Sequence, residues 1–105
     1  MQIHTHQNIW DISGSLTFID TPVVEKKSIA LRKKIDSTPP WVINCDALEK
    51  IDSAGLAWFL ENIAYAKRQQ VTLSIRGFNL EKARLLAKAQ GVLALLPLEE
   101  GFPTL

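Results

Sequence analysis

The sequence predicts an α/β fold: a mostly parallel sheet of four to five strands, an N-terminal β-hairpin and three helices, in the order β-β-α-β-α-β-α-β. Three observations carry that prediction. Short runs rich in β-branched and aromatic residues alternate with amphipathic stretches of helical period. The helical stretches open on capping residues and close on helix breakers. The first two strand-like runs are separated only by "HQN", which is room for a turn and not for a crossover helix. Beyond that hairpin, strand–helix–strand alternation implies right-handed crossovers and parallel pairing.

The elements follow in chain order. Gln2–Thr5 and Ile9–Ser13 form the hairpin. In "GSLTFID", Gly14 ends the second strand, and Leu16, Phe18 and Ile19 are expected to tuck inward. "TPVVEKKSIALRKKI" is a helix with Thr21 as N-cap and Pro22 in the first turn, where the missing N–H sacrifices no hydrogen bond. Val24, Leu31 and Ile35 share one face, while Lys33 and Lys34 suit the negative end of the helix dipole. "DSTPP" stops this helix, since a residue before proline is pushed out of helical angles. "WVINC" is a buried strand, "DALEKI" a loop, and Ser53–Lys67 a second helix. "VTLSIR" is the next strand, Asn79 caps a third helix ending at Gly91, and "ALLPLEE" is a last edge strand that tolerates Pro97.

Bulk properties exclude several functions. A chain of 105 residues is expected to be a single domain, 1–105, around one core. With 47% hydrophobic and 22% charged residues it reads as globular and not disordered. A formal charge of +1, with no basic stripe, argues against nucleic acid as a partner. No apolar stretch approaches the ~20 residues of a membrane span, and the polar N-terminus does not read as a signal peptide, so a cytoplasmic protein is expected. The lone Cys45 has no intrachain partner and reads as a buried strand residue.

The chemistry-bearing candidates are few. No phosphate-binding loop precedes any helix, so ATP binding by this chain is not expected. His4 and His6 point the same way from one strand, but two ligands without a third make no metal site. Asp46 and Asp52 lack a third acidic partner and read as loop residues bonding backbone amides. The stretch "IDSAGL" leaves the carboxyl end of a strand, where α/β proteins place their sites. Ser53 has no nearby general base, and "DSAG" lacks the nucleophile elbow, so the chain is not expected to be an enzyme or to need a cofactor. Ser53 instead admits three roles: helix N-cap, phosphoacceptor at the positive end of the helix, or contact for a partner.

Helical phase sharpens the third role. Leu56, Phe59, Leu60, Ile63 and Lys67 cluster on one side as the core face, leaving Ala54, Trp58, Glu61 and Tyr65 opposite. Trp58 and Tyr65, seven apart, are therefore expected to point outward along one line. Both residue types are enriched at binding hot spots.

The segment from "WVINCDALEKIDSAGL" through "VTLSIRGFNLEKARLLAKAQGVLALLP" resembles a STAS domain, the module of anti-sigma factor antagonists and sulfate-transporter tails. The likeness rests on a strand running into Asp46, five positions before "IDSAGL", a helix ending near "AKRQQ", and the strand "VTLSI". It spans roughly Ile9 to Leu98. Within that family, "SGSLTF" and "ARLLAKAQGV" look most like the small STAS subunit of the Mla ABC system, which moves phospholipids between the membranes of Gram-negative bacteria. This resemblance implies a non-enzymatic, cytoplasmic subunit, held at the inner membrane by its ATPase partner and not inserted in the bilayer. It places Ser53 at the contact, with Asp52, Ala54 and Gly55 shaping the loop and Trp58 extending it. The alternative it implies is an anti-sigma factor antagonist whose Ser53 is phosphorylated by a partner kinase. Thr17 stands where antagonists carry an acidic residue in their G-x-L-D pattern, which weakens that alternative.

Overall fold

The computed structural model of the chain describes residues 1–36 and 38–99. Strand β1 (Gln2–His6) pairs antiparallel with β2 (Ile9–Leu16), and His6 lies opposite Ile9, so the turn is Gln7 and Asn8. Gln7 takes the positive φ of 56° that this tight reversal demands. Asn8 is buried, and its amide donates to the Asp36 and Pro39 carbonyls at 2.8 Å each. Its side-chain oxygen accepts from the Asp36 N–H at 3.0 Å. One side chain thus stitches the hairpin to the segment that enters the central strand.

That strand, β3 (Trp41–Ile51), runs parallel to β2 on one side and to β4 (Leu73–Arg76) on the other, giving a four-stranded mixed sheet in the order β1-β2-β3-β4. It corrects the expected loop "DALEKI", which is strand throughout. The physical reason is a pair of bulges. Between Asp11 and Ser13 of β2, β3 advances from Asn44 to Ala47, and between Gly14 and Ser15 it advances from Leu48 to Lys50. Each extra residue breaks the alternation of side chains. Burial past Cys45 therefore recurs at Leu48 with two exposed residues on either side, a pattern that reads as loop.

The polar face of the sheet shows in one register row, His4–Asp11–Asn44–Arg76, crossing all four strands. The other face is the core, built from Trp10, Ile12, Ile43 and Ile75 against the helices. Helix α1 (Thr21–Arg32) begins one residue earlier than expected, because Asp20 and not Thr21 is its N-cap. It ends at Arg32, with Lys33 and Lys34 in the following turn. Helix α2 (Ser53–Gln69) and helix α3 (Glu81–Ala89) complete the layer, α3 starting from Leu80 as N-cap and not from Asn79. The expected fifth strand is a 3-10 turn, Leu93–Leu95, followed by a single parallel bridge of Leu98 to Ile75, so no fifth strand forms among the described residues. Glu100 of "ALLPLEE" lies outside the described residues.

Three expected core placements are overturned. Leu16 is fully buried, but Phe18 and Ile19 are 69% and 73% exposed. Lys67, placed on the core face by period, is exposed. More consequentially, Trp58 does not point outward: it is 3% exposed and belongs to the core cluster. Its ring lies 5.0 Å from Phe59 and 6.5 Å from Trp10, and its indole N–H donates to the Ser28 hydroxyl at 2.9 Å. Tyr65 is half-buried as well, donating its hydroxyl to the Arg32 carbonyl and stacking 5.2 Å from the Arg32 guanidinium. The reason is that α2 is covered twice, by the sheet below and by α1 beside it. Its buried arc is wider than a single-sided stripe.

Candidate partner-binding site

The site starts from Asp52, not Ser53. Asp52 follows β3 in extended conformation and is the N-cap of α2, which leaves Ser53 as the first helical residue and overturns its expected capping role. The Asp52 carboxylate accepts from the Gly55 N–H at 3.1 Å and, across the chain, from the Phe18 N–H at 2.9 Å. Its own N–H donates to the Leu16 carbonyl at 3.3 Å. Asp52 therefore clamps the start of α2 to the β2–α1 loop. Burial pushes the carboxyl pKa up, but N–H groups of Phe18, Gly55, Ala54 and Asp52 itself outweigh that and hold it below the ordinary aspartate value.

Gly55 makes the close approach possible. A Cβ there would collide with the Leu16 carbonyl oxygen and the Ile51 side chain, so only glycine lets the helix begin this near the end of β2. Ser53 is exposed, and its hydroxyl oxygen accepts from the Gln90 amide at 2.5 Å. An amide donor cannot take a proton from a hydroxyl, and the two histidines sit on β1, so no hydrogen bond seen among the described residues equips Ser53 as a nucleophile. Ala54 is half-buried beside it.

Asp52, Ser53, Ala54 and Gly55 lie at the start of α2, which begins at Ser53 as expected. Trp58 joins them only from below, as the buried edge of a groove between α1 and α2. That groove, about 480 Å³, has Pro22 and Glu25 on one side and Ala54, Ala57, Trp58 and Glu61 on the other. Phe18 and Ile19 lie in the loop that Asp52 clamps, and Val23, also 73% exposed, is in the first turn of α1. Sequence reasoning missed these apolar residues, and it missed Gln90. An apolar pair in a loop reads as core unless the chain's path is known, and no local pattern ties Gln90 to a serine 37 positions away.

Thr17, in the place where an acidic residue was expected for an antagonist, donates its hydroxyl to Asp20 at 3.0 Å and shapes the turn into α1. His4 and His6 are both exposed on β1, where His4 meets Gln2 at 3.3 Å. Among the described residues no three His, Cys, Asp or Glu side chains converge on a common metal position. No helix among them is long and apolar enough to cross a membrane.

A parallel-sheet core with an N-terminal hairpin and an Asp-capped helix start defines the class, and the family comparison names it. A family model of the STAS domain matches residues 1–101. The chain belongs to the STAS domain family. No curated protein matches it.

Proposed function

We propose that this chain is a non-catalytic STAS subunit that binds and supports the cytoplasmic ATPase of an ABC transporter for phospholipid trafficking, the Mla-type role in outer-membrane lipid asymmetry of Gram-negative bacteria. It would sit at the inner membrane through that partner. One observation carries the reading: Phe18 and Ile19, in the loop that Asp52 clamps, and Val23, in the first turn of α1, are largely bare. Three large apolar side chains held in water within six residues of one another are costly unless covered, which suits a lasting interface more than a transient one. The likeness of "SGSLTF" and "ARLLAKAQGV" to the small Mla subunit supports the transporter as the setting.

A second reading, an anti-sigma factor antagonist switched by a kinase at Ser53, is favoured by the exposure of that hydroxyl at the first turn of α2. Purification of the tagged chain from its native cells in mild detergent, with mass spectrometry, separates the two. An ABC ATPase with its permease and an unmodified Ser53 is the expected result. A soluble anti-sigma factor kinase, with phosphate on Ser53, would overturn it. With the purified ATPase, Ser53→Arg is expected to raise Kd by about tenfold or more while leaving the thermal midpoint in place. Unchanged affinity by calorimetry would remove Ser53 from the contact.

A further inference from the structure

We infer that the groove between α1 and α2 seats one amphipathic helix of a protein partner, a helix that is apolar along its docked face and carries a lysine or arginine opposite Glu61. This rests on the protein-binding reading above and specifies the segment that fills the site.

Shape is the first reason. The α2 wall is Ala54, Ala57, Trp58 and Glu61, an i, i+3, i+4, i+7 row. It spans two turns, about 10 Å at 1.5 Å per residue, and a docked helix covers that length with a matching set of anchors. Both walls are helices, so an extended peptide would find no sheet edge to pair with there. Phe18, Ile19 and Val23 add exposed apolar surface on the loop and first turn that lead into the α1 wall.

Charge is the second, and it chooses the partner. Among the described residues, the charged side chains that line the groove are Glu25 and Glu61. Glu25 is already engaged by Arg32 at 2.9 Å. Glu61 is exposed and forms no ion pair among the described residues. An acidic helix would be repelled at this rim, and a neutral one would leave the Glu61 carboxylate facing a drying contact. A cationic residue there complements it and steers approach.

The test places a photo-crosslinking phenylalanine analogue at Ala57 of the full chain in its native cells and identifies the captured peptide by mass spectrometry. The expected adduct is a peptide with apolar residues at i, i+3 or i+4, and i+7, plus a lysine or arginine on the same face. Glu61→Lys should cut its yield at least fivefold, and reversing the captured cation to glutamate should restore it. Capture of a second copy of this chain, of a peptide without that pattern, or of nothing overturns the inference, as does an undiminished yield with Glu61→Lys. The outcome is separable from the transporter proposal. Such a helix from a soluble kinase would sustain the groove and sink the transporter. An ABC ATPase captured only through a probe at Ser53 would do the reverse.

Discussion

Asp52 works harder than the serine beside it: one carboxylate caps α2 through Gly55 and holds the β2–α1 loop through Phe18. Removing it in Asp52→Ala should cost about 1–2 kcal/mol at neutral pH, the usual range for a lost N-cap. The pH dependence has a definite sign. Because the folded-state pKa is lowered, the contribution is full above the unfolded value, near 3.9, and is lost as pH falls through the folded value. Urea unfolding of parent and variant should therefore show a gap at neutral pH that narrows below about pH 4. A gap that stays constant into acid would mean that the carboxylate charge is not what stabilises the clamp.

For the elements, α2 is where local periodicity and packing part company. Its buried residues are Gly55, Leu56, Trp58, Phe59, Asn62, Ile63 and Ala66, an arc that faces the sheet and also α1. Between the two helices lies a polar seam: the Arg32 guanidinium donates to Asn62 at 2.8 Å and to Glu25 at 2.9 Å, while Trp58 donates to Ser28. Within this seam Arg32, Asn62, Ser28 and Trp58 all have partners, which is the condition under which such groups are tolerated in a core. Trp58→Ala should thus destabilise by about 3–5 kcal/mol, the cost of a large aromatic truncation in a core. Trp58→Phe should lose less, about 1–2 kcal/mol, chiefly the hydrogen bond to Ser28. A Trp58→Ala chain with a near-parental unfolding midpoint would show α2 turned the other way.

Across the whole molecule, β3 is the axis: it is central in the sheet, and Cys45 lies midway along it, 3% exposed. Burial pushes the Cys45 thiol up to about 12, with the Asp46 charge adding to it. The folded chain should resist alkylation by iodoacetamide at about pH 8, where an accessible thiol reacts readily, and should be modified fully once unfolded in guanidinium. The same shift gives an alkaline sign: stability is intact below the unfolded thiol value, near 8.5, and declines as pH rises toward the folded one. Rapid alkylation without denaturant would show that the sheet opens around β3 far more often than a central strand should.

By itself the sequence determined what depends on neighbours in the chain. The hairpin, the left-handed turn at Gly91 after α3, the burial of Cys45 in a strand, and the start of α2 at Ser53 all follow from turn, capping and apolar patterns within a few residues. Tertiary structure decided the rest. It extended β3 through "DALEKI", because bulges show only against a paired strand. It turned Trp58 inward, because α1 covers a second side of α2 that helical period cannot count. It left Phe18 and Ile19 in water and brought Gln90 to Ser53, because the contacts that place them, Phe18 to Asp52 and Gln90 to Ser53, join residues 34 and 37 positions apart. Local pattern carries no information about such pairs; only the closed chain does.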